Sequence, residues 1–168
     1  MMTKKNRHFK EPALVLLVSG LLLILGNSCA QTPDAAASGG GTLAQISGRI
    51  WKLAEIRTAA GTTRLDREKL DSKGRGDDFT LRIDSDRISG KASPNRYTSG
   101  YKTGVADSLT ILFPASTQMA ALYDPEGIGE REYFDYLMKV KRWNLNQDRL
   151  ELYTSDGAGE EAVLIYVN

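Results

Sequence analysis

The sequence predicts an α+β protein: a curved antiparallel sheet, forming a partial barrel, wrapped around one main helix in the C-terminal half. Three observations carry that prediction. Apolar and polar residues alternate in short runs from residue 50 to the C-terminus. Clusters of Gly, Ser, Asn and Asp separate those runs. A single stretch, residues 125–140, switches to a helical period.

The chain has 168 residues, of which 1–28 read as an export leader, specifically a lipoprotein signal peptide. Lys4, Lys5, Arg7 and Lys10 make a basic start, residues 13–26 are densely apolar, and Gly26-Asn27-Ser28-Cys29 closes the segment. A densely apolar part of 14 residues is short for a bilayer span, which needs about 20. An uncleaved anchor running from Pro12 to Pro33 is the competing reading. The layout resembles a lipoprotein signal with a relaxed lipobox, since Leu25 lies four residues before Cys29 and a small residue, Ser28, precedes it directly. Cys29 is therefore the expected site of lipid attachment, with palmitate-type acyl chains each contributing ~0.8 kcal/mol per buried CH₂. Residues 29–42 are the lipidated cysteine and a small, polar, Gly-rich tether with a reach of roughly 20 Å. Ala30 is not the Asp that retains lipoproteins in the inner membrane of diderm bacteria. The expectation is thus a cell-envelope protein, in the outer membrane if the host is diderm.

Residues 43–168 are expected to form one domain, large enough to bury roughly 68–70% of its unfolded surface without disulfides. Half-buried strands are predicted over 50–56, 79–83, 149–153 and 162–167, with shorter ones at 87–91, 97–101, 108–112 and 141–145. Leu65 to Leu70 reads as a helical turn. In the main helix, Tyr133, Phe134, Leu137, Met138 and Val140 form the apolar stripe, Glu126, Glu130 and Glu132 crowd the first turns, and Lys139 and Lys141 follow the last.

Composition removes several chemistries. The leader takes four basic residues and one acidic one, leaving 18 basic and 20 acidic side chains, a balance that attracts neither nucleic acid nor an anionic membrane surface. The only histidine, His8, lies in the leader, and Cys29 is the only cysteine. The domain therefore lacks the side chains for a His-based triad, a cysteine nucleophile or a His/Cys metal site. No cofactor and no metal are expected. Ser99-Gly100-Tyr101-Lys102 and Lys102-Thr103-Gly104 spell fragments of penicillin-recognising enzymes, but they share one lysine and lie in strand and turn. Asp84 to Gly90 begins like a calcium loop, yet Ile88 holds a ligand position. Arg75-Gly76-Asp77 matches an adhesion tripeptide and reads more simply as a solvated turn. Asp77, Asp78, Asp84 and Asp86 are close in sequence, but nothing there fixes a catalytic pair.

The order of landmarks resembles the META domain family, which includes the HslJ-like envelope proteins. Trp51-Lys52-Leu53 to Ile56 resembles its opening strand, and Phe79-Thr80-Leu81 to Ile88-Ser89-Gly90 a following pair. Asn95-Arg96-Tyr97 with Gly100-Tyr101 resembles its Asn-Arg-aromatic signature, and Ala115-Ser116-Thr117-Gln118-Met119 a later segment. Glu130, Phe134, Leu137, Val140, Trp143, Leu150 and Leu152 follow the C-terminal pattern. The family's two cysteines are Pro94 and Ala121 here, and an arginine of its Thr-Arg-Met segment is Gln118. The resemblance implies a non-enzymatic, membrane-anchored, monomeric protein of envelope stress or maintenance, whose partners are envelope proteins or lipids. The alternative is a lipid- or hydrophobic-tail-binding carrier using a groove between sheet and helix. Asn95, Arg96, Tyr97 and Thr117 are the candidate binding residues. Turn chemistry also accounts for them: Pro94 biases Ser93 to extended geometry, Asn95 can form an Asx turn, Gly100 permits close packing or positive φ, and Ser116 or Thr117 can cap the segment that follows.

Overall fold

The computed structural model describes residues 42–120 and 124–168. The leader, Cys29 and the tether before residue 42 lie outside the described residues, as does Ala121. The elements run α1 (Leu43–Ile46), β1 (Ile50–Thr58), β2 (Gly61–Arg64), α2 (Arg67–Ser72), β3 (Thr80–Ile83), β4 (Ile88–Lys91) and β5 (Arg96–Ser99). There follow β6 (Tyr101–Thr103), β7 (Leu109–Ile111), β8 (Ala115–Ser116), a 3-10 turn (Pro125–Gly127), α3 (Glu130–Met138), β9 (Arg142–Asn146), β10 (Arg149–Ser155) and β11 (Glu161–Val167). Nine strands form one antiparallel sheet in the order β8-β5-β4-β3-β1-β11-β10-β9, with β2 paired to β1, and β6 and β7 form a separate hairpin. The expected α+β partial barrel with one main C-terminal helix is the observed architecture.

Strand β1 organises the sheet. Along one edge its first half pairs with β3 (Trp51 opposite Leu81) and its second half with β2 (Ile56 opposite Thr63), while β11 runs along the other edge. The β6–β7 hairpin approaches the far strand: Leu109 N donates to Lys141 O at 3.0 Å and Trp143 N to Asp107 O at 2.9 Å. Only one bridge, Ser108 to Arg142, joins them, so the sheet curls without closing.

The alternation explains the core. Trp51, Leu53, Leu81, Ile83, Leu150, Leu152 and Leu164 all point inward and are fully buried. They meet Tyr133 and Leu137 from α3 in one continuous cluster with Phe79 and Tyr166. Trp51 and Trp143 are both core residues, and the Trp51 indole donates to Ile46 O at 2.9 Å, docking α1. Phe79 enters this core from a left-handed backbone (φ 53°), uncommon for a bulky residue, where the loop after α2 turns into β3.

Three buried hydroxyls cross the core. Tyr97 donates to Thr80 O at 2.9 Å, Tyr133 to the same carbonyl at 3.3 Å, and the Tyr133 and Tyr166 oxygens lie 3.1 Å apart. With Tyr166 donating to Tyr133, all three protons find acceptors. Burial pushes the Tyr133 phenol up to about 12, partly offset by its hydroxyl neighbours, and pushes Tyr97 and Tyr166 well above the ordinary range. A phenol held neutral by the fold stabilises it fully below the unfolded value near pH 10, and that contribution is lost as pH rises toward 12. Alkaline titration at 295 nm is therefore expected to leave these three of the seven tyrosines silent until circular dichroism reports unfolding. Their smooth ionisation in a folded protein would contradict the arrangement.

Five elements differ from the sequence expectation, the short α1, which was not expected, among them. The helix expected from Pro125 begins only at Glu130, because Glu126 (φ 54°) and Gly127 (φ 77°) break the chain after one 3-10 turn. Glu126 consequently faces Lys69 at 2.7 Å rather than Glu130. The strand expected over 97–101 is split at Gly100, where an added Cβ would lie 3.1 Å from Leu112 Cδ1, so this glycine serves close packing. Strands β2 and β8 were not expected: every residue in them is exposed, so neither shows alternation.

Candidate functional site

Asn95, Arg96, Thr117, Met119 and Glu130 converge at one end of the sheet, built from the α2–β3 loop, the β4–β5 turn, the segment 115–119 and the start of α3. Asn95 sits at its centre and is 2% exposed. Its Oδ1 accepts from Thr117 Oγ1 at 2.8 Å and Met119 N at 2.7 Å. Its Nδ2 donates to Met119 O at 3.0 Å and Glu130 Oε2 at 2.9 Å. A carboxamide has two acceptor sites and two donors, so all four are engaged. In place of an Asx turn the side chain clasps two segments distant in sequence, 117–119 and the start of α3. It joins the stretches beside Pro94 and before Ala121, where the resembling family carries its cysteines.

The other candidate binding residues attach to this clasp. Thr117 Oγ1 accepts from Arg96 N at 3.3 Å, and Thr117 N donates to Arg96 O at 3.1 Å, so Thr117 ties β5 to the segment after β8 rather than capping a helix. The Arg96 guanidinium is exposed and lies 3.6 Å from Asp77 Oδ2. Tyr97 points into the core. Gly90 makes room for it, because a Cβ there would stand 2.0 Å from Thr80 O and 2.9 Å from Tyr97 Cε1.

Beside the clasp lies a charged cluster that sequence reading did not single out as a unit. Asp78 is fully buried, with Oδ2 accepting from Arg75 Nε at 2.6 Å and Ser93 Oγ at 3.0 Å. Arg75 also donates to Ser93 Oγ, and Lys91 Nζ makes 2.8 Å ion pairs to Asp78 Oδ1 and Asp77 Oδ1. Burial opposes charge on Lys91, but its hydrogen bonds to the two aspartates prevail and raise its pKa. Burial likewise works against the Asp77 carboxylate, and the bond from Lys91 more than compensates, so its pKa is lowered. Arg67 extends the network, donating to Gly76 O at 2.7 Å, Asp78 O at 3.0 Å and Leu53 O at 3.3 Å. Burial lowers its pKa, opposed by Asp71 and Asp78. Basic side chains thus hold the loop carrying Asp77 and Asp78 against the β4–β5 turn. The signal missed in the sequence was the matching of basic and acidic residues across loops.

The remaining motifs resolve into local structure. Arg75 and Asp77 of the adhesion tripeptide serve the cluster. Ser99 is buried and donates to Leu112 O at 2.7 Å, while Lys102 is exposed on β6. Asp84 pairs with Arg82 and Asp86 with Arg87, at the opposite end of β3 from Asp77 and Asp78. Among the described residues, no group of three or more His, Cys, Asp or Glu side chains is placed to hold a metal ion. The space between sheet and α3, where the carrier alternative puts its groove, is filled by Trp51, Phe79, Tyr133, Leu137 and Tyr166. A cleft of about 430 Å³ lies instead outside, where Asp124, Arg131, Glu132 and Asp135 face Asp156 of the β10–β11 turn.

Comparison with known proteins places this end in a family context. The META domain model matches residues 44–164. The chain belongs to the META domain family. The matched span takes in every strand up to β11 and the whole clasp. The fold is similar to that in the NMR structure of a protein from Burkholderia xenovorans, with a TM-score of 0.54 and 20% identity, covering 82% of this chain and 96% of that one. It is also similar to the crystal structure of a DUF4847 family protein from Bacteroides vulgatus, with a TM-score of 0.51 and 10% identity, covering 76% and 96% respectively. A comparison with curated proteins finds no match. At these identities the structural neighbours show a shared fold alone.

Proposed function

We propose that this chain is a non-enzymatic envelope lipoprotein, anchored through Cys29, whose META domain binds envelope proteins or lipids in stress or maintenance. The observation that carries the reading is the basic start, apolar run and small residue leading to the single cysteine, Cys29. Asn95, with both acceptor sites and both donors engaged internally, supports a structural rather than ligand-binding role for this end. Asp78 and Ser93 are likewise buried in mutual contacts, so the polar residues at this end hold loops together. Catalysis by histidine or cysteine has no side chains available in residues 43–168. The leader layout and the single cysteine support the anchor and a monomer held near the membrane by its tether. Export would place the domain outside the cytoplasm, in the outer membrane of a diderm host.

The test is detergent-phase partitioning of the full chain with metabolic labelling by a fatty acid. The wild type is expected in the detergent phase and labelled, and Cys29→Ser in the aqueous phase and unlabelled. A variant that stays with the membrane would support the uncleaved anchor. Turnover of a substrate by purified protein would overturn the non-enzymatic assignment.

A further inference from the structure

We infer that the end of the domain where the tether joins it is a lipid-contacting face, with Phe113 and Leu112 set into the membrane that holds the anchor. The inference rests on the lipid-anchored reading above. Its occupant is the bilayer surface itself.

Backbone contacts put the relevant residues together. The described chain starts at Thr42, and Ser47 bridges to Ile83 while Gly48 N donates to Ile83 O at 2.8 Å, so the first residues lie at the β3–β4 turn. The Tyr101 hydroxyl donates to Asp84 O in that turn at 2.8 Å. Leu112 N donates to Gly100 O at 2.9 Å, one residue before Tyr101. Phe113 then lines a shallow hollow of about 350 Å³ with Asp86 and Arg87 of the same turn. Ser47, Gly48 and Phe113 therefore lie at one end of the sheet, opposite the end that holds Asn95.

Among the described residues, five large apolar side chains are exposed; Val105 (91%) and Met119 (58%) lie elsewhere, while Leu112 and Phe113 stand next to each other at this end. Phe113 is 81% exposed, Ile50 54% and Leu112 41%, whereas Phe79 and Phe134 pack into or against the core. The apolar tip has a polar rim. Arg82 pairs with Asp84 and Arg87 with Asp86, and Arg49 stands over the Trp51 ring. Exposed apolar side chains beside paired charges suit the headgroup boundary, where aromatic and aliphatic groups enter and ionic groups stay wet.

The tether makes so small a contact sufficient. Thirteen residue steps from Cys29 to Thr42 span at most about 45 Å. A tether of that length holds the face at a high effective concentration over the lipid, so a contact too weak to recruit a free protein is populated once the chain is anchored. The signature end then points away from the membrane.

The experiment places tryptophan reporters in the full chain. Phe113→Trp is compared with Ala158→Trp, an exposed position in the β10–β11 turn at the far end of the sheet, with Leu112→Trp as a second reporter should the first impair folding. Each chain is fastened by its Cys29 thiol to maleimide-bearing lipid in vesicles of phosphatidylethanolamine and phosphatidylglycerol with brominated acyl chains. The expected result is that emission added by Phe113→Trp or Leu112→Trp is largely quenched, while that added by Ala158→Trp is unchanged. Equal quenching of both ends, or none at either, would overturn the inference. So would a blue-shifted Phe113→Trp emission in vesicle-free solution accompanied by crosslinked dimers, since a second copy would then cover the face. Because the thiol coupling supplies the attachment, this readout is separate from the anchor itself, which Cys29→Ser partitioning tests in cells.

Discussion

Asn95→Ala is expected to lower the stability of the domain by about 3 kcal/mol, at a net value near 1 kcal/mol for each hydrogen bond lost and more where a partner is left buried and unpaired. For a domain of this size that corresponds to a fall in melting temperature of roughly 10 °C. The loss is large because the carboxamide binds partners 22, 24 and 35 residues away, so its removal frees two distant segments, 117–119 and the start of α3, at once. Asn95→Asp separates shape from bonding. The introduced carboxylate keeps the acceptor oxygen but sets a second oxygen against Glu130 Oε2 and Met119 O. Like charges raise each other's pKa, so the deficit of this variant relative to wild type is expected to be greatest near neutral pH and to shrink as pH falls toward 4. Thermal melts at several pH values measure both effects. Unchanged melting with loss of a cellular function would instead move Asn95 into a binding role.

Gly90→Ala is expected to cost about 3 kcal/mol, the upper part of the overpacking range. The added methyl group would meet a backbone carbonyl, Thr80 O, at 2.0 Å, and β3 can yield only by pulling away from β4. The same movement would break the hydrogen bond from Tyr97 to Thr80 O, so Tyr97 should begin to ionise at lower pH than in the wild type. Urea unfolding gives the first quantity and absorbance at 295 nm the second. Gly157→Ala is the control: nothing lies within 4 Å of a Cβ there, and its effect is expected to stay within about 0.5 kcal/mol. A Gly90→Ala protein as stable as wild type would remove the packing explanation for Ser89-Gly90.

These two residues show how far local pattern reaches. Alternation in Trp51-Lys52-Leu53 and in Leu150-Glu151-Leu152 was readable because one face of each strand is buried and the other is not. The stripe of Tyr133 and Leu137 was readable for the same reason at a helical period. Strand β2 was not, since Gly61-Thr62-Thr63-Arg64 buries no face and is held only by its backbone pairing with β1. The early start expected for the main helix came from its acidic residues, but Glu126 and Gly127 take left-handed backbone that no helix continues through. At the candidate site, Asn95, Arg96 and Thr117 stood out by type, while Asp78, Ser93 and Lys91 did not, because their meaning lies in each other.

The sequence by itself determined the class of fold, the half-buried faces that make its core, the single cysteine just after an apolar run and the lack of histidine and cysteine beyond it. Those properties follow from composition and short-range periodicity, which burial imposes residue by residue. Only the tertiary structure decided that Asn95 is a clasp, that Gly90 yields space to Tyr97, and that Phe113 shares an end of the sheet with the start of the domain. Hydrogen bonds and contacts between residues tens of positions apart leave no local periodicity, and the chain must fold before they exist.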